Sequence, residues 1–154
     1  MATYQGKTLE EKALELIAKE LTHVTARAKI HEQKSREKYA EGNETGGRLR
    51  HAMAEKYKAK AITLAEHLDA IRAGKPDVAV CALRDMRADE LEYMIDDAER
   101  FSENGHDSVV QALAGAKAET LRTELRHLPD MGAEELMREC FGAVIDDELA
   151  VWSA

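Results

Sequence analysis

Residues 7–50, KTLEEKALELIAKELTHVTARAKIHEQKSREKYAEGNETGGRLR, decide the fold. Leu14, Ile17, Leu21, Val24 and Ala28 recur at spacings of three and four, and neither Pro nor Gly interrupts the run before Gly42. That period predicts one long amphipathic helix over 7–41. Beyond Ile30 the apolar stripe fades into HEQKSREKYAE. GNETGG at 42–47 then reads as a hairpin turn: Gly42 suits a left-handed helix stop, and Asn43 or Thr45 can cap the next helix.

A second helix is predicted over 48–73, with Leu49, Met53, Tyr57, Ala61, Leu64, Leu68 and Ile71 on its apolar side. The two should pair as an antiparallel hairpin. A helix of that first length would be roughly 52 Å long, against about 38 Å for a globule of this chain's size, so the tip is expected to project.

AGKPD at 73–77 reads as a linker, and 78–86 is ambiguous. Three further helices are predicted. The first, 89–102, should bury Leu91, Met94, Ile95, Ala98 and Phe101. The next is capped by Asp107, ends before Pro129, and should turn Val110, Leu113, Leu121, Leu125 and Leu128 inward. The last, 132–152, is apolar over a wide arc, and Phe141, Ile145, Leu149 and Trp152 are expected to form an oligomer interface. The expected fold is therefore all-α: a long, coiled-coil-like helical hairpin over 1–75, packed with an acidic bundle of about three helices over 76–154.

Composition agrees with this reading. Among 154 residues there are two Pro and nine Gly, too few for the turns of a sheet protein. No apolar run approaches the roughly 18 residues of a membrane span, and the charged start does not suit a signal peptide, so a cytoplasmic location is expected. Cys81 and Cys140 have no second cysteine at ligand spacing and are expected as core thiols.

The net charge of −8 excludes nucleic-acid binding by bulk charge, but it conceals an asymmetry. Residues 26–60 carry net +5 and residues 77–154 net −12. The basic set is Arg27, Lys29, Lys34, Arg36, Lys38, Arg48, Arg50, Lys56, Lys58 and Lys60, on both arms near the tip. It could dock on phosphate or on an acidic protein surface, although Glu32, Glu37, Glu41, Glu44 and Glu55 share the arms and pairs such as Glu32 with Arg36 would consume part of the charge. Only Tyr39 and Tyr57 lie nearby for base stacking, so any nucleic-acid contact should be to phosphate without base specificity. The acidic clusters Asp96, Asp97, Glu99 and Asp146, Asp147, Glu148 offer a lesser alternative, mimicry of a nucleic acid.

Catalytic chemistry is sparsely indicated. Glu20-x-x-His23, Glu103-x-x-His106 and Glu124-x-x-His127 match the local spacing of di-metal sites in helical bundles. However, His23 points roughly 130° and His127 roughly 100° from their apolar stripes, and a helix stop falls between Glu103 and His106. GNETGGR lacks the Gly-Lys-Ser/Thr ending of a phosphate loop, and no serine or cysteine sits in a nucleophile context. The sequence therefore predicts a non-enzymatic, oligomeric interaction protein without metal or cofactor, binding a protein partner first and nucleic acid second. One internal echo, Leu83, Asp85, Met86, Ala88, Glu90, Leu91 against Leu128, Asp130, Met131, Ala133, Glu135, Leu136, is read as two helix N-termini and not as a repeat.

Overall fold

The computed structural model describes residues 3–104 and 107–142. It contains five α-helices and no strand among those residues: α1 Leu9–Ala40, α2 Glu44–Arg72, α3 Pro76–Asn104, α4 Ser108–His127 and α5 Ala133–Phe141, with a 3-10 turn at Leu128–Asp130 between the last two. The chain divides into two compact units, Glu10–Ala79 and Met1–Leu9 with Val80–Ala154.

The first unit is the helical hairpin. Among the shielded positions of α1, Leu14, Ile17, Leu21, Val24, Ala28, His31, Ser35 and Lys38 follow an unbroken alternation of three and four. Those on α2 run Gly47, Arg50, Ala54, Tyr57, Ala61, Leu64, Leu68, Ile71 with the same alternation. A strict seven-residue repeat on both partners is the pattern of a coiled coil.

Two cross-contacts set its register: Ser35 Oγ donates to the Gly47 carbonyl at 2.8 Å, and Arg50 meets His31 at 3.2 Å. Steps of seven in opposite directions from Ser35 and Gly47 bring Ala28 level with Ala54, then Leu21 with Ala61, then Leu14 with Leu68. The seam is thus leucine-rich at its base and built from Ser, Gly, Ala, His and Arg near its tip. With about 0.8 kcal/mol per buried methylene, the distal layers bury little that stabilises them.

The small distal residues explain why the apolar stripe fades in sequence while the helices stay paired. Ile30 and Leu49, the large apolar residues of this region, lie off the seam, and Leu49 is 61% exposed, contrary to its expected place on the buried side. Ser35 and Gly47 are buried instead. The turn is also shorter than GNETGG, because Asn43 caps α2 through its side chain, accepting from Gly46 N at 2.9 Å, and the helix starts at Glu44. A Cβ on Gly47 would lie 2.8 Å from ring atoms of Tyr39, so glycine lets that ring lie across the helix start.

The second unit contains an unforeseen plug. Tyr4 and Lys7 form an antiparallel bridge, their backbones joined at 2.8 and 3.1 Å, across a turn in which Gln5 and Gly6 both take positive φ. Tyr4 is buried, and its phenol is pushed above its ordinary value first by that burial and then by Glu134, with Arg138 acting in the opposite sense.

α3 spans the ambiguous 78–86 without a break, because a proline is tolerated in the first helical turn and Ala79, Ala82 and Leu83 are buried. The continuity revises the internal echo: residues 83–91 lie inside a helix, whereas 128–136 cross a 3-10 turn and a helix start. The leucines nevertheless match in burial, since Leu83, Leu91, Leu128 and Leu136 are all in the core.

α4 follows its predicted limits, with Asp107 accepting from Val109 N at 2.8 Å. Phe101, Val110 and Leu113, expected inside, are 59%, 45% and 66% exposed. The buried residues of α4 are Ala118 and Leu121, and Leu128 follows in the 3-10 turn, so it is the C-terminal part of the helix that packs. α5 ends at Gly142 with a φ of 61°, the left-handed stop of a terminating helix, short of the predicted 152. Phe141 is half-buried; Ile145, Leu149 and Trp152 of the expected oligomer interface lie outside the described residues.

Candidate functional site

The basic residues predicted as a binding surface separate into two sets according to partner. Lys38 lies 3.6 Å from Glu41, Arg48 3.2 Å from Glu44, and Lys60 3.5 Å from Glu20. Lys58 bridges Glu32 on α1 and Glu55 on its own helix. The expected Glu32–Arg36 pair therefore gives way to an inter-helical one, because Glu32 faces α2 beside the seam. Hydrogen bonding to Lys58 leads the causes that hold the Glu32 carboxyl below its ordinary value. These pairs are exposed or half-exposed, so solvent screens them and they add little to stability.

Lys29, Lys34, Arg36 and Lys56 are exposed and make no ion pair among the described residues. Arg27 and Arg50 also lack a carboxylate partner there and are held by neutral rings. The His31 and Tyr57 rings stack across the seam with centroids 5.4 Å apart and planes 8° from parallel. Arg50 Nη1 lies 3.2 Å from His31 Nδ1, and the Arg27 guanidinium sits over the Tyr57 ring at 6.0 Å. The sequence identified the basic residues of this cluster but not His31 and Tyr57 as what orders them. The signal that could have found them was their place in the heptad, where an aromatic pair and an arginine occupy seam positions.

Burial, followed by the charges of Arg50, Lys34 and Arg27, holds the His31 imidazole below its ordinary value. Arg50 donates, so Nδ1 accepts and the neutral ring carries its proton on Nε2. The unfolded chain then binds more protons than the folded one as the pH drops below about 6.5. This contribution to stability is complete above that value and is lost as the pH falls through it toward the lower folded value. Melting temperatures measured from about pH 8 to about pH 5.5 should fall more steeply for the native chain than for His31→Gln. Equal slopes would refute the assignment.

The other candidate residues form no comparable site. Asp96 and Asp97 are exposed, Glu99 is bound by Arg122, and Asp146, Asp147 and Glu148 lie outside the described residues. Of the Glu-x-x-His pairs, Glu20 meets Lys60 and Glu124 meets Arg87, while His23 and His127 are exposed; His106 lies outside the described residues. No group of three or more His, Cys, Asp or Glu side chains is placed to hold a metal ion among the described residues. A shallow groove at the start of α5, lined by Glu134, Glu135, Arg138 and Glu139, is open to solvent.

Cys81 is exposed, contrary to its expected place in the core, because it falls beside the Ala79, Ala82 and Leu83 stripe of α3 and not on it. Cys140 is half-buried with its Sγ 3.8 Å from Met131 Sδ, and burial is the leading cause that pushes its thiol upward. No helix among the described residues is long and apolar enough to cross a membrane.

The chain matches no family model, no curated protein and no solved structure.

Proposed function

We propose that this chain is a non-enzymatic helical interaction protein that docks on a macromolecular partner through the distal half of its hairpin. It would serve as an adaptor, inhibitor or assembly factor of a protein or nucleoprotein complex, in the cytoplasm and as an oligomer. The observation that carries the reading is the set of exposed cations Lys29, Lys34, Arg36 and Lys56, which have no ion pair among the described residues, in a chain whose overall charge is −8. Cations left without carboxylates on an acidic protein attract a negatively charged surface and speed its encounter. Tyr39, 46% exposed near the tip, adds an amphipathic ring to the same end. A second reading, non-specific nucleic-acid binding by the tip, draws on the same cations, since phosphate contact requires no base-reading element.

Anisotropy titrations of labelled duplex DNA and labelled polyglutamate, at several salt concentrations, test the reading. Salt-dependent association with at least one probe is expected, with a log-log slope near −0.9 for each duplex phosphate engaged. The triple variant Lys29→Glu, Arg36→Glu, Lys56→Glu should remove the association and retain the helical circular dichroism, since all three side chains are exposed. Absence of binding to both probes at low salt, or binding unchanged in the variant, would overturn it.

A further inference from the structure

We infer that Arg27, His31, Lys34 and Arg50 form a proton-linked site for a backbone phosphate of a nucleic acid. The inference rests on the docking reading in taking the same stretch of hairpin as the contacting surface, and it names the chemistry that the stretch recognises.

Arg27, His31 and Lys34 stand at positions i, i+4 and i+7 of α1 and so share one stripe, and Arg50 meets that stripe from α2. Both guanidiniums are ordered by ring partners, Arg27 by Tyr57 and Arg50 by His31. A guanidinium fixed by a carboxylate has its charge cancelled. One fixed by a neutral ring keeps its charge and has already lost much of its rotational freedom, so an anion binds it at lower entropic cost.

The groups around His31 are positive from both helices. On α1 they are Arg27 and Lys34, with Glu32 bound to Lys58; from α2 they are Arg50 and the phenol of Tyr57, with exposed His51 close enough to act on Glu32. Uptake of a second proton turns His31 Nδ1 from acceptor to donor, and Arg50 then faces an N–H instead of a lone pair. An anion oxygen between the two groups can accept from both, which makes protonation and anion binding mutually favourable.

Phosphodiester chemistry fits better than a lone carboxylate for two reasons. Donors reach the site from both helices, and the oxygens of a tetrahedral phosphate, unlike the two coplanar ones of a carboxylate, can face both. Lys29, Arg36 and Lys56, exposed on other faces of the distal hairpin, add to its positive field, which suits a ligand that repeats its charge. The site predicts affinity for a strand without base preference, rising as the pH falls.

The test uses the full chain, labelled for histidine ring nuclear magnetic resonance, with a short oligothymidylate as probe. Neither thymine nor a phosphodiester titrates across this range, so a pH effect there reports the protein. Saturating oligothymidylate should raise the His31 titration midpoint by about one unit, and affinity should increase by about tenfold in all as the pH falls through the bound and free midpoints. In His31→Gln the pH slope should disappear while salt-dependent binding persists, and in Arg50→Gln the midpoint should no longer respond to the oligonucleotide.

If oligothymidylate binds in a manner sensitive to the Lys29, Arg36 and Lys56 reversals but leaves the His31 midpoint unmoved, the phosphate site is overturned and the docking reading stands. If polyglutamate raises the midpoint as much, the assignment to phosphate is overturned. If neither polymer binds, the docking reading fails as well.

Discussion

Leu136→Ala is expected to lower the stability of the unit that contains α5 by about 2–5 kcal/mol, measured by urea denaturation. α5 is nine residues long, below the length at which a helix holds together in water by its own hydrogen bonds, so it depends on the face it buries. That face is carried by Leu136 and Met137, both fully buried. Alanine at 136 removes three carbons from a packed site and leaves a cavity, and the cost spans a range set by how far neighbours relax. Leu113→Ala supplies the contrast: that side chain is largely exposed, and its loss should change stability by no more than about 0.5 kcal/mol. Comparable losses in the two variants would mean that the exposed face of α4 is covered in solution.

Arg87 ties α3 to α4. Its Nη2 lies 2.6 Å and its Nε 3.1 Å from Glu124 Oε1, and its Nη1 is 3.1 Å from Glu90. Burial disfavours the guanidinium charge, yet the bonds to Glu124 and Glu90 outweigh burial and push its proton affinity above the ordinary arginine value. Only 14% of the Arg87 side chain and 28% of the Glu124 side chain reach solvent.

Arg87→Leu leaves the Glu124 carboxylate poorly hydrated and without its guanidinium, at a cost of about 1–3 kcal/mol. The double variant Arg87→Leu, Glu124→Leu should recover a large part of that loss, because both desolvated charges leave together. A double variant as unstable as the sum of its singles would show that the pair acts through packing alone.

Much of the fold was legible because helices advertise themselves by period. The spacing of Leu14, Ile17, Leu21 and Val24, the Asp107 cap, and Gly42 as a left-handed stop with φ of 80° all correspond to local physics. Local physics fails where packing decides. Val110 and Leu113 are as apolar as Leu121 and sit on the same helix, yet only Leu121 has a neighbour to bury it. Leu49 fits the helical period, but a seven-residue seam through Gly47, Arg50 and Ala54 leaves it outside.

The candidate site was half legible. Charge is additive along a sequence, so the basic stretch at 26–60 follows from counting residues. Which of those charges are free does not. Glu32 lies four residues from Arg36 and pairs with Lys58 across the hairpin, while Arg27 and Arg50 are held by the rings of Tyr57 and His31. Sequence distance predicts pairs within a helix, and contacts across a seam depend on a register that the turn and Ser35–Gly47 set together.

From the sequence came an all-helical chain, a long hairpin with a basic distal half, an acidic remainder and the helix stops at Gly42 and before Pro129. Each follows from composition, period and capping, which act within a few residues. Tertiary structure alone decided that Ser35 and Gly47 form the distal seam, that Cys81 faces outward, that Tyr4 is buried from a terminal turn, and that His31 lies among three cations. Those outcomes depend on residues distant in sequence meeting at one place, where burial and close approach, and not local preference, set the energy.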